Sequence, residues 1–259
     1  MLAKLLIVLA ISIVVFLLPW SFGQLVGSCF ISASISWAFA LNSIQSNKLL
    51  AIILCFFCKR VRLSVSYLFK IELDGKYLLV KGHRIQHQYQ PVGGVFKYKE
   101  GALGILDELK RESDDKLAVD ETSKNDLRIY ISGSKLSGFF KWFDSRKYRE
   151  LSPERELREE LFVPGILSDF SSTKPDFYQL IGTKITFKHK WLSVLKCHEL
   201  LYAEIYSLDI TQNQWNEVGA LMKKEDKRIG WFTKEEIVKR GISEKNFGAI
   251  ISEHSQWIL

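Results

Sequence analysis

The first 71 residues contain no acidic residue; Glu72 is the first carboxylate in the chain. Six cations, Lys4, Lys48, Lys59, Arg60, Arg62 and Lys70, stand unopposed in that stretch. Residues 72–259 hold the other 30 cations and all 29 anions, a balance of 30 − 29 = +1. The net charge of +7 is thus six parts N-terminal arm and one part remainder. That split excludes reading the basic pI as a nucleic-acid footprint, because a duplex-binding domain carries its own basic excess on one face. No nucleic-acid partner is expected. Cysteine is also scarce, with only Cys29, Cys55, Cys58 and Cys197. Cys55 and Cys58 have redox-motif spacing, but the residues before them are all apolar and no second Cys or His pair lies nearby. Reduced thiols in a cytosolic setting are expected. Internal repeats and low-complexity linkers are absent.

Charge is missing altogether from two runs. Leu5–Phe22 is 18 residues without a charge, and Leu25–Leu41 follows after Gly23-Gln24. At 1.5 Å per residue the first run spans about 27 Å, close to the hydrocarbon thickness of a bilayer. Unpaired backbone amides are not tolerated in lipid, so both runs are expected to be helical. The second is rich in small residues and hydroxyls (Gly27, Ser28, Ser32, Ala33, Ser34, Ser36, Ala38), the composition of a helix–helix face. A cleaved signal peptide fits poorly. The first run is too long, a second follows at once, and no clear small-x-small site separates them. Lys4 precedes the hairpin and Lys48, Lys59, Arg60 and Arg62 follow it, so the positive-inside rule puts both ends in the cytoplasm. A two-pass inner-membrane protein with a cytoplasmic globular domain is expected. Leu49–Cys58 is too short to span alone, and its register stays open between an interfacial helix and a shifted second span.

From about Ser64 the pattern alternates. Tyr67–Glu72, a tight turn at Asp74-Gly75 and Lys76–Lys81 read as a hairpin. Pro91-Val92-Gly93-Gly94-Val95 is a place where backbone can approach a ligand closely. A helix is expected near Ala102–Arg111 and a strand at Leu127–Ser132, followed by an aromatic stretch at Leu136–Phe143. Further strands are expected at Phe177–Ile181, in parts of Leu195–Leu208, and at Ala220–Met222. Thr233 caps a new helix, and Phe247–Ile258 reads as a last one. The domain division is 1–63 for hairpin and membrane-proximal basic segment, then 64–259, with an insertion at about 97–150.

Ser152–Leu161 begins with a Ser cap and Pro153 at the first helical position, and Pro164-Gly165 ends it. Within it Glu156, Glu159 and Glu160 stand at i, i+3 and i+4, one face of an α-helix. Clustered carboxylates suit a hard divalent cation such as Mg²⁺, and Arg155 is placed to hold one of them. Taken alone, the helix reads first as an ordinary solvated Glu/Arg face.

The order Pro-x-Gly-Gly, Arg-Glu-Leu-x-Glu-Glu, then Trp231-Phe232-Thr233 resembles the Nudix family, whose box is G-x5-E-x7-R-E-U-x-E-E-x-G-U. Arg155–Glu160 matches its core at every fixed position. The resemblance covers about Val65–Leu259 and implies a Nudix-like α/β/α sandwich with a mixed sheet behind the hairpin. It also implies metal ligands at Glu156, Glu159 and Glu160, and nucleotide contacts at Gly93, Gly94 and Arg155. The sequence departs from the box in spacing. Gly94 to Arg155 is 61 positions where the box has 14, an insertion of about 47 residues. Lys147 stands where a Glu is usual, and no Gly closes the box, Phe162-Val163 following Leu161 there and Gly165 coming later. Glu225, six before Trp231, is a further candidate acidic ligand.

A membrane hairpin feeding an insertion-split Nudix domain is similar to the Nudix-transmembrane effectors of bacterial CBASS antiphage systems. That resemblance implies a homo-oligomer that senses a cyclic nucleotide and disrupts the membrane lipid, killing the infected cell, without hydrolysis. The alternative is a membrane-anchored, Mg-dependent hydrolase of a nucleoside diphosphate derivative, with Glu159 and Glu160 catalytic.

Overall fold

The computed structural model describes residues 43–82, 88–116, 123–241 and 249–259. Both expected spans lie outside the described residues. Among the described residues no helix is long and apolar enough to cross a membrane.

The chain enters through α1 (Ser43–Cys55) and continues into β1 (Val61–Lys70), β2 (Glu72–Leu73), β3 (Lys76–Lys81), β4 (Gln88–Gln90) and β5 (Gly93–Val95). Next come α2 (Leu103–Glu108), β6 (Glu112–Ser113), β7 (Arg128–Ile131) and α3 (Leu136–Asp144). Helix α4 (Glu154–Leu157) runs directly into a π-helical turn, Arg158–Phe162. The chain then forms β8 (Tyr178–Lys188), β9 (Glu199–Leu208), α5 (Gln212–Met222), β10 (Ile229–Thr233), α6 (Lys234–Val238), β11 (Ile250–Ile251) and a closing 3₁₀ helix, Glu253–Ile258.

Two mixed sheets result. The larger has the order β6-β7-β1-β9-β8, with β5 also paired to β1; the smaller has the order β10-β3-β4-β11, with β2 on β3. β1 and β9 are parallel, and the remaining pairings of the larger sheet are antiparallel. The period-2 alternation of β1 explains its central place. Val61, Leu63, Val65, Tyr67 and Phe69 are all buried in the larger core. On the opposite face, Leu68 joins Ala203 and Ile205 of β9 in a second core with Tyr77, Leu79, Ile237, Ile251 and Ile258. This mixed α/β architecture fits the Nudix-like class expected of residues 64–259.

The Asp74-Gly75 turn, β3, β7 and the Thr233 cap fall where the sequence places them. Ala220–Met222 does not form a strand. It is the last turn of α5, a helix started by a Thr211/Gln214 capping box. The tail is not one helix either: Ile250–Ile251 pairs with β4 before the 3₁₀ turn begins. The aromatic stretch is α3, which buries Phe139, Phe140, Trp142 and Phe143.

The basic segment before Ser64 is also part of the folded unit. β1 already starts at Val61, and α1 buries Ala51 and Cys55 in the larger core. Lys48 pairs with Asp144 at 2.6 Å, and Arg60 pairs with Glu112 at 2.7 Å and Asp115 at 2.9 Å. Arg62 is buried between Asp114 and Glu199, at 2.6 and 3.0 Å. These cations serve the fold, because a buried guanidinium needs carboxylate partners to offset its lost hydration.

Candidate functional site

β5 lies antiparallel to β1 with Gly93 opposite Leu68 and Gly94 opposite Tyr67. Gly93 has φ +155°, and a Cβ there would strike the Tyr67 carbonyl oxygen and the Leu68 Cα. A side chain is therefore excluded by neighbouring backbone, which cannot swing aside. The constraint at Gly94 is different. A Cβ there would collide with the carboxyl end of Glu156. The glycine pair thus brings β5 against both its sheet neighbour and the carboxylate helix.

The turn that carries the glutamates is wider than an α-helix. Val163 N–H bonds to Arg158 O at 2.7 Å, an i→i−5 bond, so one extra residue is accommodated in the turn. π-turns of this kind are frequent at functional sites. The widening redistributes the three carboxylates. Glu156 and Glu160 remain half-buried beside the glycine strand, whereas Glu159 is exposed. Glu160 Oε2 accepts the Gly93 N–H at 3.2 Å. Glu156 is held by Arg155, which also donates to Glu150 Oε1 at 3.1 Å and to the Val95 carbonyl at 3.0 Å. Glu159 reaches the same guanidinium only at 3.7 Å. Of the expected residues, then, Gly93, Gly94, Arg155, Glu156 and Glu160 meet, with Glu159 at the rim.

Electrostatics follow from this crowding. Burial pushes the Glu160 carboxyl up to about 8, and the neighbouring Glu156 adds to the rise; the Gly93 N–H pulls the other way. Glu156 is also raised, chiefly by burial, and Arg155 counters part of that. Tyr67 sits fully buried under the same cluster, its phenol pushed up first by burial and then by Glu150.

Glu150 was not among the residues singled out from the sequence. The box spacing, counted back from Arg155, points to Lys147, which is exposed and bonds through its backbone N–H to Ser145 Oγ at 3.4 Å. The positive φ of Arg146 and Tyr148 marks an irregular turn between Lys147 and Glu150, and spacing rules fail across such a turn. Glu150 is also bonded at the backbone to Lys97: its N–H donates to Lys97 O at 2.7 Å, and its carboxylate accepts the Lys97 N–H at 3.1 Å. Glu225 is exposed on the loop after α5; that loop reaches the end of the carboxylate turn through Arg228, which donates to Pro164 O at 3.0 Å.

Beside this cluster opens a cleft of about 560 Å³, lined by Lys97, Lys99, Glu150, Leu151, Ser152, Glu154, Arg155 and Arg158. Its lining holds four cations and two carboxylates; Arg155 is taken up by Glu150 and Glu156 and Arg158 by Asp169, which leaves Lys97 and Lys99 to meet an anionic ligand. The model of the SMODS-associated NUDIX domain matches residues 60–259. The chain belongs to that family. It is a Nudix-like, defence-associated domain of the SMODS-linked kind, and its match begins at the first residues of β1. No curated protein matches the chain.

The carboxylates have the hard oxygen donors that Mg²⁺ prefers. Their geometry does not suit it. Glu156 is turned onto Arg155 and Glu160 onto the Gly93 amide. Among the described residues no group of three His, Cys, Asp or Glu converges on a common point that would hold a metal ion.

Proposed function

We propose that this protein is a membrane effector of a CBASS antiphage system, in which the Nudix-like domain senses a cyclic nucleotide and the N-terminal hairpin disrupts the inner membrane. Membership in the SMODS-associated family supports the defence context. The observation that carries the sensing role is the self-satisfied box. Arg155 is shared among Glu150, Glu156 and the Val95 carbonyl, and Glu160 is tied to β5, so the groups that would bind a metal and activate water are engaged with one another. The adjacent basic cleft is large enough for a dinucleotide-sized anion and supplies Lys97 and Lys99 for phosphates, with Arg158 at its edge drawn onto Asp169.

In this reading the ligand binds one assembly state better than the other, and only that difference shifts the population. The two uncharged runs cross the membrane, with the small-residue face of the second packing against neighbouring copies. Dye release from liposomes carrying the full-length protein tests it. A cyclic di- or trinucleotide is expected to cause leakage, and replacing Gly27, Ser32 and Ser36 together by Leu is expected to keep insertion and ligand binding while abolishing leakage. If no cyclic nucleotide gives leakage while the domain still binds one, the effector reading fails.

The hydrolase alternative is favoured by one feature, the Glu160 carboxyl raised to about 8, in the range useful for a general acid or base near neutral pH. Mg²⁺-dependent pyrophosphate hydrolysis that disappears in Glu160→Gln and Glu159→Gln would decide for it.

A further inference from the structure

The β8–β9 connection, His189–His198, is built in an unusual way. Its one fully buried side chain is polar. Ser193 donates to Glu199, which is itself paired with the buried Arg62, and Ser193 Oγ also accepts the Leu195 N–H at 3.1 Å. Leu192 and Ser193 N–H both bond to His189 O, at 2.8 and 3.1 Å, and Lys196 N–H bonds to Ser193 O at 3.1 Å. This polar frame holds the apolar side chains outward. Trp191 is 74% exposed, Leu192 78% and Val194 87%. A loop without another role would fold such residues down and leave serine in water.

A second apolar group stands at the same end of the sheet. Arg62 N–H bonds to His198 O at 2.8 Å, so the entry to β1 and the end of this loop are adjacent. Just before that entry lie Phe56 and Phe57, and Phe57 is 91% exposed. The charges on these two segments have one sign. Lys59, Lys190 and Lys196 are exposed, Lys190 Nζ lies over the Trp191 ring at 4.5 Å, and residues 177–198 and 49–71 contain no carboxylate. Among the described residues, the nearby carboxylates Glu112 and Asp115 are taken up by Arg60, and Glu253 by Lys188.

We propose that the β8–β9 tip and the Phe56-Phe57 corner together form a lipid-docking surface that inserts Trp191, Leu192, Val194 and Phe57 into the interface of an anionic bilayer. Protruding apolar side chains, with Trp among them and Lys at the rim, match the interfacial zone, where aromatic rings settle at headgroup depth and cations meet anionic lipid. A second copy of the chain is a worse occupant, since a self-complementary contact would bring the lysines of both copies together. The uncharged runs of residues 5–22 and 25–41 lead into α1 and bring this chain to a membrane in the function proposed above. The inference rests on that reading for its setting, and on the loop for its substance.

The test uses the full chain in vesicles containing phosphatidylglycerol with brominated acyl chains, which quench tryptophan at bilayer depth. The emission of Trp191 is taken as the difference between the parent and Trp191→Phe. It is expected to fall by about half relative to unbrominated vesicles, and to be restored in Leu192→Ser/Val194→Ser, a pair of exposed positions that leaves the core intact. Alkaline carbonate extraction runs alongside. Protein that resists extraction with Trp191 unquenched overturns the docking surface and leaves the spans standing. Protein that is extracted by carbonate, yet shows Trp191 quenched beforehand, supports the docking surface and sinks the spans. Trp191 that is unquenched and crosslinks between copies assigns the surface to self-association and also overturns the proposal.

Discussion

Glu160→Gln separates the charge of this carboxyl from its shape. The carboxyl stands at about 8 in the folded chain against an ordinary value of 4.5. The folded protein therefore holds the proton more firmly than the unfolded chain does. The resulting stabilisation is complete below about pH 4.5, fades as the unfolded carboxyl ionises, and is gone once pH passes the folded value near 8. A gap of this size corresponds to at most about 5 kcal/mol at 1.36 kcal/mol per unit, and relaxation around a half-buried group reduces it to roughly 2–4 kcal/mol. Glutamine keeps the amide-sized side chain and an oxygen to accept the Gly93 N–H, but cannot ionise. The variant should match the parent near pH 4.5 and exceed it near pH 9. For a domain of this size the excess is about 4–12 °C in melting temperature. Thermal melts of parent and variant at one-unit pH steps give the difference curve, in which titrations common to both cancel. A Glu160→Gln difference that is the same at pH 5 and pH 9 would refute the burial argument.

Gly93→Ala should cost about 3–5 kcal/mol, since it adds left-handed strain to a backbone clash, whereas Gly94→Ala should cost about 1–2 kcal/mol because the Glu156 carboxyl can swing away. Urea denaturation ranks the two, and equal losses would count against the distinction. Arg155→Met leaves Glu150 and Glu156 facing each other without their cation and should lower stability by about 2–4 kcal/mol, with Glu150→Gln in the same background recovering part of it. Phe139→Ala empties a fully buried site on α3 and should cost about 3–5 kcal/mol, measurable by the same denaturation.

The parts of the fold legible from sequence were those with short-range signals. Asp74-Gly75 imposes a turn through its own backbone preference, and Thr233 with Glu236 closes a capping box within four residues. Arg155, Glu156 and Glu160 of the Arg-Glu-Leu-x-Glu-Glu core lie beside Gly93 and Gly94, with Glu159 turned to the rim, because one helical turn and one strand fix them. What escaped depended on distant partners. Ala220–Met222 looked like a strand because three apolar residues carry no period, and only the Thr211 cap nine residues earlier shows the helix. The partners of Arg60 and Arg62 were not legible because their carboxylates lie about 50 or more positions away. Glu150 was missed because the count back from Arg155 assumes regular backbone, and the turn at Arg146–Tyr148 is not regular.

The backbone pairing of Lys97 with Glu150 has a mechanical consequence. The segment between them leaves and returns at adjacent residues, so its ends stay together whatever its own length, since closure cost grows only with the logarithm of loop length. Its own side chains tie it down further: it supplies β7 beside β1 and Phe139, Trp142 and Phe143 to the interior, so excising it would expose the flank of the central strand and hollow the core.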